Sequence, residues 1–185
     1  AIESRRRVSF IYNQMNCERK LVPINNIPRE VLPVNMFCTN SQYYLVANEF
    51  SCYGLTHFRL DRITDIALCQ QLSKDDIKLR QKLNISAAAY AAEHPYMYGG
   101  KPLNITLKMP CSLAGAVCDT FGSAADMTPI CDEYMLVRLK AAAEGMRFFA
   151  LQYGPNCEVL EPKELREQLI SDIKDMAAKY CVKGA

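Results

Sequence analysis

The apolar rhythm of this chain changes near residue 70, and that change confines it to an α+β fold built in two parts. Before the change, apolar residues alternate. In RVSFIY at 7–12, Val8, Phe10 and Tyr12 share one face and Ser9 and Ile11 the other. VLPVNMFC at 31–38 carries Pro33, which predicts a sheet edge or the mouth of a strand. TNSQ at 39–42 reads as a turn, YYLVANEF as the strand after it, SCYGL as another turn, and THFRLDRITDIAL as the last strand of the set. MNCERKLVPINNIPRE, between the first two strands, is a turn-rich insertion or a long hairpin loop. Four or five short strands in under 70 residues predict a small barrel or a tightly coiled sheet.

Past residue 70 the composition favours helices. LSKDDIKLRQKL and SAAAYAAEHP read as helices, the second stopped by Pro95, and together they form a linker over 69–101. A second pattern then begins: a strand at 103–109, a helix with Ser112 as N-cap and Gly122 as its stop, and a weak strand at 127–131. A clear strand at 133–140, a helix at 142–154 and a strand at 157–161 complete it. This β-α-β-β-α-β order is that of a ferredoxin-like sandwich. A last helix opens with Pro162 at N1 and carries Leu165, Leu169, Ile173, Met176 and Tyr180 at helical spacing. Such a stripe must pack on its own domain or on a partner.

Composition narrows the function. A net charge of +2 is too small to argue for nucleic-acid or membrane binding, so an anion site has to rest on local geometry. No apolar run reaches the length of a membrane helix, and AIESRRRVSF lacks the apolar core of a signal peptide. The nine cysteines form no C-x-x-C pair, and the only histidines are His57 and His94. Reduced thiols of a cytoplasmic protein, with no metal and no cofactor, are the expectation. Residue 1 is Ala, and the first six residues look like the tail of a helix, which fits a fragment of a longer chain. Catalytic motifs are lacking: YGGK at 98–101 does not have P-loop spacing, and a Cys52–His57 nucleophile pair is no more than chance proximity among nine cysteines. A binding protein rather than an enzyme is expected.

The pair YYLVA and FRLDRI resembles the hallmark of WYL domains, with Tyr43 in place of the Trp and Tyr44 and Leu45 matching. FIY at 10–12 and VLP at 31–33 extend the likeness upstream. EHPYMYGG, DTFG, LQYG and VLEPKELR resemble the C-terminal extension, WCX, that follows WYL domains in bacterial transcription regulators. The resemblance implies a Sm-like or SH3-like WYL barrel over 1–68 and makes the ferredoxin-like part over 102–185, beyond the helical linker at 69–101, its extension. It also implies DNA binding through a winged helix-turn-helix module that this chain lacks; a homodimer, with the extension and its last helix as part of the dimer surface, is expected besides. The barrel would bind a small anionic or nucleotide-like effector.

The residues themselves leave the site open. Arg59 and Arg62 each offer a planar fork suited to phosphate or carboxylate, but three apart on an unbroken strand they face opposite sides. They converge only if the strand ends or bulges near Asp61, which would hold one guanidinium in place. Tyr12 and Tyr44 offer ring faces or hydroxyls. The plainer reading is a surface ion pair with the tyrosines in the core. The resemblance implies instead a ligand site at Arg59, Arg62 and Tyr44, with Asp61, Tyr12, Tyr43, His57 and Arg29 as further members. Its ligand would be a small effector or, alternatively, single-stranded nucleic acid; a purely structural oligomerisation unit is the third reading. SRRR at 4–7 is expected to be a solvated linker end.

Overall fold

The computed structural model describes residues 1–39, 41–49, 54–83 and 87–181. By its internal contacts the chain divides into two units, Ala1–Ala87 and Ala88–Ala185. The architecture is α+β, with a curled antiparallel sheet in the first unit and a four-stranded antiparallel sheet backed by helices in the second.

The first unit holds β1 (Arg6–Met15), β2 (Leu21–Pro23), β3 (Arg29–Thr39), β4 (Gln42–Glu49), β5 (Thr56–Arg59), β6 (Ile63–Gln71) and α1 (Lys74–Lys82). Pairing runs β2-β1-β3-β4-β5, and β6 also pairs with β1. Strand β1 serves several partners because its length is shared out: β6 runs along Arg6–Tyr12, β3 along Val8–Phe10, and β2 along Asn13–Met15. The insertion after Tyr12 is therefore a hairpin that prolongs β1. Strands β5 and β6 lie at opposite ends of the pairing order yet are joined by one 3-10 turn, Leu60–Arg62, so the sheet must coil back on itself. Register shifts in the β1–β6 ladder, between Arg6 and Val8 and between Ser9 and Ile11, supply the local bends that such coiling requires.

The alternating face of β1 is buried as its spacing predicts. Val8 and Phe10 meet Val31, Leu45, Ala47 and Phe58 in the core. Phe58 is the hub: Phe10 meets it edge-to-face at 5.1 Å and Tyr12 at 5.0 Å. Each buried ring of this kind contributes up to about 3 kcal/mol through apolar burial. Pro33 sits inside an 11-residue strand rather than at its mouth. It is tolerated because the β1 partner ends at Val31, leaving β4 as the one paired neighbour there, and because the register shifts between Pro33 and Asn35. The first residues are not a helix tail. They form a turn, closed by the Arg6 N–H donating to the Ala1 carbonyl at 3.1 Å, with Arg5 at φ 51°.

Helix α1 opens with a full capping box: Ser73 accepts from the Asp76 N–H, and Asp76 accepts from the Ser73 N–H. The Asp76 carboxylate also takes the guanidinium of buried Arg7, which ties α1 to β1.

The second unit holds α2 (Ala87–Glu93), β7 (Pro102–Pro110), α3 (Ala114–Phe121), β8 (Asp126–Pro129), β9 (Tyr134–Ala142), α4 (Ala143–Tyr153), β10 (Glu158–Glu161) and α5 (Lys163–Tyr180). Its strands pair in the order β10-β7-β9-β8. Ile105, Leu107 and Met109 of β7 and Val137 and Leu139 of β9 alternate onto one face. There they meet Val117 and Phe121 of α3, Met146 and Phe149 of α4, and Leu165 and Leu169 of α5. Two local expectations change. Ser112 is not an N-cap, because a 3-10 turn over Cys111–Leu113 precedes α3 and Leu113 stands at the cap. Pro162 is the N-cap of α5 rather than its N1 residue. Gly122 and Gly154 end α3 and α4 at φ 55° and 48°, where a side chain would be strained. The α5 stripe is buried only in its first half; Ile173, Met176 and Tyr180 are exposed.

Candidate ligand site at the end of β5

Strand β5 ends at Arg59, and the chain turns at once into Leu60–Arg62. That is the condition under which Arg59 and Arg62 stop facing opposite sides. Across the sheet, Arg59 is opposite Tyr44, and Tyr44 opposite Phe37, so these three side chains form a row on one face. His57 lies two residues back on β5 on that same face, opposite Val46.

Arg59 is held from three directions. Its backbone N–H donates to the Tyr12 hydroxyl at 3.1 Å, which links β5 to the end of β1. Its Nε and Nη2 donate to the two Asp61 carboxylate oxygens at 3.0 and 2.7 Å, and Nη2 also donates to Gln42 Oε1 at 2.8 Å. Gln42, read from the sequence as a turn residue, is thus part of the site. As first residue of β4 it lies two positions from Tyr44, the distance at which a diagonal neighbour reaches a long side chain. The hydrogen bonds from Arg59, partly offset by loss of water, hold Asp61 below the usual carboxylate range; the charge of Arg62 adds to the effect. The same pairing raises Arg59.

Arg62 differs. Its carbonyl accepts from Asn13 Nδ2 at 3.0 Å, pinning the turn to β1, and the same amide donates to Thr64 Oγ1 at 3.0 Å. Its guanidinium has no hydrogen-bond or ion-pair partner among the described residues. The turn therefore carries two arginines and one carboxylate, with one guanidinium committed and one uncommitted.

The other candidates stand apart from this cluster. Arg29 is spent on Glu49 at 2.7 Å and lies over the Phe58 ring, 5.8 Å from its centroid. Tyr43 is on the opposite side of β4 from Tyr44, beyond the edge of the core and 61% exposed. Cys52, the imagined partner of His57, lies outside the described residues.

Chemically, the cluster presents fixed cations, two tyrosines and a carboxamide. Guanidinium groups do not titrate in the working pH range, so they hold anions rather than move protons.

Among the described residues, no helix is long and apolar enough to cross a membrane. Residues 1–68 match the family model of the WYL domain and residues 101–177 that of the WCX domain. Comparison with curated proteins finds no match. Among solved structures, the chain is similar to proteasome accessory factor B/C (PafBC) of Arthrobacter aurescens, at 22% identity and a TM-score of 0.41. That likeness covers 98% of this chain and 26% of the other. It is also similar to a CRISPR Cas-related protein, at 10% identity and a TM-score of 0.55, over 97% of this chain and 49% of the other. The chain thus spans about a quarter of one of these proteins and about half of the other.

Proposed function

Because the chain belongs to the family that joins a WYL domain to a WCX domain, we propose that it is the effector-sensing and dimerising part of a DNA-binding transcription regulator. The effector is a small anionic or nucleotide-like molecule, bound at the turn after β5. One observation carries this reading: Arg62, next to Asp61 in the 3-10 turn and adding its charge to the field on that carboxylate, has a guanidinium with no hydrogen-bond or ion-pair partner among the described residues. A phosphate seated there meets Arg62 first and competes with Asp61 for the Arg59 fork. Tyr44, in the cross-strand row with Arg59, supplies a ring or hydroxyl to the body of the ligand.

The curled first sheet, with its edges joined by a 3-10 turn, fits a Sm-like or SH3-like barrel. The β10-β7-β9-β8 order with α3 and α4 as crossovers fits a ferredoxin-like sandwich. The dimer belongs to the second unit. The stripe of α5 continues past its buried half through Ile173 and Met176, beside an apolar groove of about 460 Å³. A second copy covering that stripe would couple effector binding to the spacing of two DNA-binding modules.

Single-stranded nucleic acid is the second reading, favoured by the exposed Tyr43 ring. Calorimetric titration with mono- and dinucleotides and a short oligonucleotide at several salt concentrations separates the two. A small effector gives a shallow dependence on salt, whereas a strand gives a slope that grows with the number of phosphates held. Arg62→Ala removes either interaction. Binding of none of the probes contradicts both readings.

A further inference from the structure

The Ser4-Arg5-Arg6-Arg7 run is solvated only in its first half, where Ser4 and Arg5 are exposed. Arg6 Nε donates to the Cys69 carbonyl at 2.7 Å, and Arg7 is buried against Asp76. Arg5, turned by its positive φ, lines a cleft of about 570 Å³ between the N-terminal turn and α1. Arg80 faces the same cleft from α1. Its Nη1 donates to the Ile2 carbonyl at 3.0 Å, which fixes the guanidinium while its remaining donors stay uncommitted. Neither Arg5 nor Arg80 forms an ion pair among the described residues.

The rest of the lining sorts by chemistry. Asn35 spends its carbonyl oxygen on the Met36 N–H at 2.8 Å, so the group it has left to offer is a donor. Glu3 is the one carboxylate, against two guanidinium groups, and Leu72 and Ile77 form an apolar wall. The volume falls in the range of small-molecule sites, and polar and apolar residues share the lining about equally.

We propose that this cleft is a second ligand site, which takes a small organic anion with an oxyanion head and an apolar body. The head lies between Arg5 and Arg80, with the Asn35 amide as a further donor, and the body lies against Leu72 and Ile77. A ligand there bridges the turn leading into β1 and the helix α1, and so fastens one to the other. The site is separate from the turn after β5 and stands whether or not the reading of that turn holds.

Hexyl phosphate and inorganic phosphate are the probes, titrated into the whole chain and followed by amide shifts in a two-dimensional NMR spectrum. Hexyl phosphate is expected to bind about tenfold or more tightly than inorganic phosphate, because its chain is buried against the apolar wall. The shifts should fall on Asn35, Leu72 and Ile77. Arg5→Ala is the informative variant, since the Arg5 side chain holds no other part of the fold among the described residues. It should weaken hexyl phosphate about fivefold or more, as read from the shifts of Asn35, Leu72 and Ile77. Equal affinity for the two probes, shifts confined to the Leu60–Arg62 turn, or undiminished binding by Arg5→Ala would each overturn the proposal.

Discussion

Arg59 and Asp61 are joined by two hydrogen bonds across a single intervening residue, Nε to Oδ1 at 3.0 Å and Nη2 to Oδ2 at 2.7 Å. This fork-on-carboxylate geometry exists because β5 stops at Arg59 and the next three residues form a 3-10 turn. In a continuing strand the two side chains would share a face but stand about 6.5 Å apart along it.

The pair has a signature in pH. Asp61 is held below its ordinary value, so its contribution to stability is present above the unfolded carboxylate range, near pH 4, and is lost as the pH falls through the folded value. The Asp61 side chain is 51% exposed, which limits the contribution to about 1 kcal/mol or less. Asp61→Asn should be destabilised by that amount in urea at pH 7 and match the parent protein near pH 2. It should also bind phosphate more tightly, because the Arg59 fork is released.

The Arg7–Asp76 pair is different in kind, with side chains only 3% and 12% exposed. Burial pushes the Asp76 carboxyl up, but the Ser73 N–H, the Arg7 guanidinium and the Ser73 hydroxyl outweigh it and leave the group lowered. Asp76→Ala removes the capping box and leaves the Arg7 charge buried without its carboxylate, at a cost of about 3–5 kcal/mol. Chemical denaturation should show that loss. The double variant Arg7→Met, Asp76→Ala should recover a substantial part of it.

Two glycines give opposite expectations. A Cβ on Gly145 would stand 2.5 Å from the Pro95 carbonyl oxygen, whereas one on Gly115 would meet nothing within 4 Å. Gly145→Ala forces α4 away from the Pro95 turn and should cost about 1–3 kcal/mol. Gly115→Ala, in α3, should stabilise by about 0.5–1 kcal/mol. Thermal melts of the two variants should move in opposite directions.

If a second copy covers α5, a charge on the exposed part of its stripe should separate the copies. Ile173 is 57% exposed, so Ile173→Glu is expected to leave the fold intact and shift a dimer to monomer in sedimentation. A parent protein that sediments only as a monomer at micromolar concentration contradicts this assignment.

Much of this was legible in the sequence, and the gaps have physical causes. Val8, Phe10 and Tyr12 announced a half-buried strand through period-two spacing. The six elements from β7 to β10 could be read in order because β7 and β9 are long and periodic and Gly122 and Gly154 mark where the two helices end. The 3-10 turn was hidden because Leu60 and Asp61 continue the apolar–polar alternation of Phe58 and Arg59, with no Gly or Pro to mark a break. That concealment kept the meeting of Arg59 and Asp61 conditional. Gln42 was missed because its role depends on pairing across the sheet, which local composition does not reveal. Pro33 was legible as an edge position, since the structure leaves one side of it without a strand; what the sequence did not show is that β3 runs on through it, held by β4 alone. Arg5, Arg6 and Arg7 read as solvent-facing because a charge run usually is; Arg5 is exposed as expected, but long-range partners at Cys69 and Asp76 decided otherwise for Arg6 and Arg7.

The central claim is that the turn after β5 holds an anion through Arg62 and Arg59. Calorimetric titration of a dinucleotide into the parent protein, Arg62→Ala and Arg59→Ala tests it most directly. The account predicts saturable binding by the parent protein and a loss of about tenfold or more in each variant. Equal binding by all three proteins would contradict it.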